Sequence, residues 1–217
     1  AGVEAAHRLA NAGQAVRLIE MRPTRMTPAH HSADLGELVC SNSLKGEDPT
    51  SAHGLLKQEL TALDSLVLKV ARETSVPAGR ALAVDRTAFA ARLTGIITAN
   101  PLIEIERREI TALDPSRLTI VASGPLSSPE LTAALGSITG AERLSFYDAV
   151  APIVSGASVD MDRAFFGARW QDDSDDYLNC PLERDEYEAF VAALLAADKL
   201  TPRDFEDERY FEGCLPV

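Results

Sequence analysis

The chain is short of basic charge. Arginine and lysine number 21 against 33 aspartates and glutamates, a formal net charge of −12. Phosphate contacts supply much of the affinity of nucleic-acid binders, so composition alone argues against an RNA substrate while leaving room for a local basic face. Cysteine is scarce as well. Cys40, Cys180 and Cys214 are odd in number and lie 140 and 34 residues apart, which excludes a disulfide framework, a CxxC redox pair and zinc-ligand spacing. No apolar run approaches the roughly eighteen residues of a membrane span, and no secretory signal opens the chain, so no membrane association and a reducing cytoplasm are expected. There is no internal repeat, low-complexity tract or linker. With 46% hydrophobic and 25% charged residues over 217 positions, the balance is that of one large globular domain, or of one domain and part of another.

What is present is two cysteines in unusual settings. Cys40 lies in Glu37-Leu-Val-Cys-Ser-Asn-Ser-Leu44 and Cys214 in Phe211-Glu-Gly-Cys-Leu-Pro216. Asn42 and its flanking serines can bond their own backbone, Gly213 loosens the chain, and Pro216 ends any regular structure. A packing thiol usually sits inside an apolar run instead. Buried filler and reactive thiol are both open for these two. Cys180, in Leu178-Asn-Cys-Pro181, reads as packing.

The opening residues predict a helix with Ala5, Leu9 and Ala12 on one face and Gly13 as its C-terminal cap. A short apolar strand, Gln14 to Glu20, follows. In a dinucleotide-binding unit a G-x-G-x-x-G turn precedes such a helix, and an acid about 20 residues on takes the ribose hydroxyls. Ala1-Gly2 then reads as the end of that turn and Glu20 as the acid. A chance helix-turn-strand, with Glu20 as a solvated strand end, fits these residues equally.

Residues 22–36 read as a long loop containing His30 and His31, which are either surface residues or the lining of a ligand site. Ser51 or a neighbour is expected to cap one helix running to about Arg72, with Leu55, Leu56, Leu60, Leu63, Leu66, Val67 and Val70 on its apolar stripe. Ala81–Val84 reads as a buried strand. Asp85 caps a helix carrying Phe89, Leu93, Ile96 and Ile97, and strands are expected at 102–107 and 118–122. The latter runs into Ala122-Ser-Gly-Pro125, and Ser128-Pro129 starts a further helix. From 144 the pattern changes to short strands near 144–150, 157–160, 163–170 and 176–180. A helix at about 184–197 follows, with Tyr187, Phe190, Val191, Leu194 and Leu195 on its buried face. Trp170 reads as core or interface.

Several of these segments together resemble the folate- and FAD-dependent tRNA (uracil-5-)-methyltransferases, bacterial flavoproteins related to the wobble-uridine-modifying family. They are Glu20-Met-Arg-Pro23, Thr27-Pro-Ala-His-His31, Glu37 to Leu44, Val76-Pro-Ala-Gly79 with Ala81 to Arg86, Ala122-Ser-Gly-Pro-Leu126, Phe146-Tyr-Asp-Ala149, Tyr177 to Pro181 and Phe211 to Pro216. They cover nearly the whole chain in the family's order. Ser123 departs from the threonine usual there. The family's glycine-rich opening, its return to the flavin domain and much of its folate site would lie outside the chain.

The resemblance implies an α/β fold: an incomplete Rossmann-like FAD-binding domain of the glutathione-reductase type over 1–143, and an inserted α+β domain, also incomplete, over 144–217. It implies FAD contacts at Gly2, Glu20, Arg22, Ser41, Asn42, Ala122, Ser123 and Gly124. Methylenetetrahydrofolate and NAD(P)H are the implied cosubstrates, tRNA the partner and no metal is involved. Cys214 matches the nucleophile that attacks carbon 6 of uracil. Cys40 matches the base that later removes the carbon 5 proton. Arg209 is a candidate helper of the thiolate. Competing readings are a generic FAD oxidoreductase, which leaves Cys214 unexplained, a sibling acting on rRNA or wobble uridine, and a non-catalytic interaction piece. Without a first strand and glycine turn the pyrophosphate loses backbone amides, so the 217-residue chain alone is expected to retain little or no FAD. Stoichiometric flavin absorbance in the purified chain would contradict this.

Overall fold

An early acid and a late base suit the dipole of the first helix. In α1 (Gly2–Asn11), Glu4 lies in the first turn and Arg8 in the last. The computed structural model describes residues 1–39, 41–140, 154–168 and 175–198. These divide into one unit running to residue 140 and a second holding the remainder. The buried face of α1 is Val3, Ala6 and Ala10, one position round from the expected Ala5–Leu9–Ala12 stripe, and Leu9 is exposed. Gly13, at φ +80°, stops the helix as expected, and the amides of Gly13 and Gln14 return to the carbonyls of Ala10 and Leu9.

The chain then reverses into β1 (Val16–Glu20), which pairs in parallel with β5 (Ile103–Arg107), from Val16 opposite Ile103 to Glu20 opposite Arg107. A second sheet has the order β2–β4–β3, all antiparallel, formed by Ser43–Gly46, Ala81–Val84 and Ser75–Val76. Helices α2 (Ala52–Ala62), α3 (Leu66–Glu73) and α4 (Arg86–Ala99) complete the core, with Val70, Val84, Phe89, Leu93 and Ile97 fully buried. The expected capping residues act as such: Ser51 accepts from Gly54 N, Asp85 from Ala88 N, and Ser128 from Leu131 N at the start of α5 (Pro129–Thr139).

The single helix expected from Ser51 to Arg72 is two. Asp64 adopts φ +55°, which a short acid tolerates, and Ser65 caps α3 by accepting from Leu68 N. A contact from far along the chain supports the break. The Glu4 carboxylate accepts from Ser65 Oγ at 2.9 Å, Leu66 N at 3.1 Å and Val67 N at 2.8 Å, so α1 supplies acceptors for the N-terminus of α3. Leu55, Leu56 and Leu63 are exposed, not part of a buried stripe.

The strand expected at 118–122 is also absent. Leu118, Ile120 and Val121 are exposed, and among the described residues β1 and β5 pair only with each other, leaving this segment no neighbour to complete a ladder. In the second unit, β6 (Phe165–Phe166) pairs antiparallel with β7 (Leu178–Asn179), and α6 (Arg184–Ala196) carries a Glu183–Glu186 capping box. Residues 157–160 hold one 3-10 turn, Gly156–Ser158, instead of a strand. Tyr187, Phe190, Leu194 and Leu195 are exposed, contrary to the buried stripe expected of them. The strand expected near 144–150, and Trp170, lie outside the described residues. No helix among the described residues is long and apolar enough to cross a membrane.

The Glu4 clamp makes a prediction. Glu4→Ala leaves three donors at the start of α3 without their acceptor and should lower unfolding stability by about 1–3 kcal/mol. Hydrogen exchange at Leu66 and Val67 should accelerate more than in α4. Unchanged exchange at those two amides would contradict it.

Candidate functional site

The reversal after α1 brings the start of that helix and the end of β1 to the same end of the first unit. At the helix start, a Cβ placed on Gly2 would lie 3.5 Å from Ala122 Cβ. Two of the expected cofactor residues, 120 positions apart in the chain, are thus neighbours. Ala122 leads into a 3-10 turn, Gly124–Leu126. Ser123 Oγ lies 2.6 Å from Ser127 Oγ, which donates to Gly124 O at 2.8 Å. The Ser123 hydroxyl therefore closes its own turn.

At the end of β1, Glu20 meets Arg22. Arg22 as a whole is 3% exposed. Its Nε donates to Glu20 Oε1 at 3.0 Å and its Nη2 to Glu20 Oε2 at 3.1 Å, and the Arg22 backbone N–H adds a bond to Oε1 at 3.0 Å. The third nitrogen, Nη1, donates to Glu37 Oε2 at 2.8 Å and to Ser32 O at 3.2 Å. Such planar, forked pairing is the geometry in which arginine binds carboxylates best. Arg107, opposite Glu20 across the parallel pair, donates to Arg22 O at 3.1 Å and Ala33 O at 2.7 Å.

Glu37 is the other pole of this cluster. Besides Arg22 it accepts from His31 N at 2.9 Å, Ser32 N at 3.2 Å and Ser32 Oγ at 2.9 Å. Gly36 precedes it at φ +71°, a conformation that favours glycine, and a Cβ there would come within 2.7 Å of Leu93 Cδ1 on α4, so a side chain would strain the backbone and displace Leu93. Burial opposes the ionisation of Glu20, but the hydrogen bonds and charge of Arg22, with the charge of Arg107, outweigh it and hold the carboxyl below its usual range. For Glu37, burial is again overcome, by the His31 and Ser32 hydrogen bonds. His30 titrates below an ordinary histidine because it is partly buried and faces the charge of Arg22. Its Nδ1 lies 2.6 Å from Thr27 Oγ1, and that oxygen already accepts from His30 N at 3.2 Å.

Ser41 and Asn42 serve a different part of the fold. Ser41 Oγ accepts from Ser43 N at 3.1 Å, and Asn42 Nδ2 donates to Val84 O at 3.1 Å while Asn42 O accepts from Val84 N at 3.0 Å. Together these fix the entry to β2 on the end of β4. Cys40, Cys214 and Arg209 lie outside the described residues. Cys180, expected to be packing, is exposed at the end of β7. Glu37 and Arg107 escaped the sequence reading because their partners are distant in the chain. The available signal was an acid and an arginine beside a strand end and a loop glycine.

Comparison with known proteins bears on the same residues. The sequence model of a family described as glucose inhibited division protein A matches residues 1–217. Among curated relatives, the methylenetetrahydrofolate--tRNA-(uracil-5-)-methyltransferase TrmFO of Oleidesulfovibrio alaskensis is 51% identical over 222 residues, 100% of this chain and 50% of that protein. Similarly named proteins of Desulfotalea psychrophila and Geotalea uraniireducens are 50% and 52% identical, again over 100% of this chain and 49% and 50% of their own lengths. The chain thus spans about half the length of these relatives.

The buried cluster makes a signed prediction. Arg22→Ala leaves two carboxylates without their guanidinium and should cost about 3 kcal/mol at pH 7, as breaking a buried pair does. Because Arg22 holds the folded Glu20 carboxyl below its unfolded value of about 4.5, this contribution is complete above that pH and is lost as pH falls through the folded value. Urea unfolding at pH 7 and pH 3.5 should show the wild-type advantage shrinking in acid. An advantage independent of pH would contradict the assignment.

Proposed function

The chain belongs to the glucose inhibited division protein A family, and from that premise we propose that it acts within an FAD- and folate-dependent enzyme that methylates carbon 5 of the T-loop uridine of tRNA. The observation that carries this reading is the 51% identity, over all of this chain, to a protein named as that methyltransferase. The names of the other relatives favour it over an rRNA or wobble-uridine activity. In this reading residues 1–143 form the greater part of a Rossmann-like FAD-binding domain of the glutathione-reductase type. Residues 144–217 form the bulk of an inserted α+β domain, supported by the antiparallel β6–β7 pair and α6.

The residues present fit a flavin dinucleotide. The start of α1, where first-turn amides have no acceptor inside the helix, would take the pyrophosphate, with Gly2 and Ala122 admitting it closely. Glu20, ionised at the end of a parallel strand, would take the ribose hydroxyls. Arg22 gives most of its guanidinium N–H groups to Glu20 and Glu37, which suits a supporting role better than direct contact. Bound flavin, recharged by NAD(P)H, supplies the reducing equivalents, and methylenetetrahydrofolate the carbon.

Carbon 5 of uracil is a weak nucleophile. In the proposed chemistry the Cys214 thiolate adds to carbon 6, and the resulting enolate makes carbon 5 nucleophilic. After the one-carbon unit is attached, Cys40 removes the carbon 5 proton, the carbon 5–carbon 6 double bond re-forms and the thiolate leaves. RNA carrying 5-fluorouridine traps the adduct, because fluorine replaces the proton that must depart. In the intact gene product Cys214→Ala should abolish the shifted band on a denaturing gel, whereas Cys40→Ala should keep the band and lose methylation. Cys180→Ala, at an exposed position, should leave both intact. A band that survives Cys214→Ala but not Cys40→Ala would reverse the two roles, and one that survives both would put the nucleophile elsewhere.

A further inference from the structure

A second layer of recognition lies behind Glu20. We infer that Arg22 and Glu37 are positioning residues for the cofactor: Glu37 holds the Arg22 guanidinium, and Arg22 fixes the Glu20 carboxylate with Oε2 turned to the ligand. The inference rests on the proposed assignment of Glu20 to the ribose.

The geometry of the cluster carries it. Arg22 commits four of its five N–H groups inside the protein, Nε and one hydrogen of Nη2 to Glu20 and both hydrogens of Nη1 to Glu37 and Ser32 O, so its position is set from two sides. It is 3% exposed, which removes the solvent that would otherwise satisfy a displaced guanidinium. Glu37 receives four donors, Arg22 Nη1, Ser32 N and Ser32 Oγ on Oε2 and His31 N on Oε1. A carboxylate held by so many donors serves as a strut for Arg22. Glu20 differs. Its Oε1 takes two donors, Arg22 N and Nε, while Oε2 takes one, Arg22 Nη2. Of the two Glu20 oxygens, Oε2 is the one that retains an acceptor site for a hydroxyl.

The arrangement also sets what a substitution does. Glu37→Gln keeps the shape and one oxygen but removes the charge opposite Nη1, so Arg22 loses its second anchor and Glu20 its fixed aim. Arg22→Lys keeps the charge but replaces the planar fork with a single ammonium that cannot span both glutamates. A residue that merely stabilised the fold would weaken ligand binding whether or not Glu20 were intact. A positioning residue acts through Glu20 and has no effect once Glu20 is lost.

That difference is measurable as a double-mutant cycle. FAD is titrated into the apo form of the intact gene product and followed by flavin fluorescence, for wild type, Glu37→Gln, Glu20→Gln and the double variant. Glutamine at 20 keeps an acceptor oxygen, so binding stays measurable. Glu37→Gln should weaken FAD binding about ten-fold with Glu20 present and less than about two-fold with glutamine there. Equal losses in both backgrounds, or no loss with Glu20 present, overturn the inference. If the wild type takes up no FAD, or Glu20→Gln leaves its affinity unchanged, the ribose assignment itself fails, and the inference with it. If the circular dichroism melt of Glu37→Gln shows an unfolded protein, Arg22→Lys takes its place in the cycle, and the same dependence on Glu20 must appear.

Discussion

A guanidinium that is almost out of reach of water must find its hydrogen bonds and its countercharge within the protein, and the loop after β1 is arranged around that requirement. Arg22 is the buried cation, and Glu20 and Glu37 supply the anions. Taking such a charge out of water costs several kcal/mol unless every partner is in place. The consequence is a loop fixed by its electrostatics: residues 31 and 32 are held through the Glu37 carboxylate, and residue 33 through Arg107. The strand end carrying Glu20 and the segment leading to Leu38 are parts of one network. In the proposed function, that network sets the ribose end of the cofactor site.

A carboxylate gathering backbone amides recurs at Glu4. There it joins α1 to the start of α3 and fixes the break between α2 and α3. The two clusters act on different parts of the same unit. Glu4 sets how α1, whose first residue is Gly2, is held against the helices, and Arg22 sets the strand end beyond the turn at Gly13. The proposed dinucleotide site draws one contribution from each.

Local signals in the sequence were legible where the structure is local. Ser51, Asp85 and Ser128 cap the helices they precede, Gly13 ends α1, and Ala81–Val84 is buried, because each of these outcomes depends on a few adjacent residues. The errors share a different cause. The Leu55-to-Val70 stripe continues across Asp64 and Ser65, so periodicity hid a break that depends on Glu4, 61 residues away from Ser65. Leu118 to Ala122 has strand composition, but a strand needs a neighbour, and the described residues supply none. In α6 the apolar spacing was recognised while the burial inferred from it was not found. At the candidate site, dinucleotide-binding spacing singles out Gly2 and Glu20, which is a local signal. That the Arg22 guanidinium faces two glutamates, and that Glu37 and Arg107 join it, has no such signal, because a hydrogen bond across 15 or 85 residues leaves no local trace.

The central claim is that Arg22 binds two ionised carboxylates, Glu20 and Glu37, together at the end of β1. Carbon-13 NMR titration of glutamate side-chain carboxyls in the intact gene product, assigned with Glu20→Gln and Glu37→Gln, tests it most directly. Both carboxyls should titrate below the ordinary glutamate range, and removing either should disturb the titration of the other. An ordinary or raised value at Glu20, with no response to the loss of Glu37, would contradict the account.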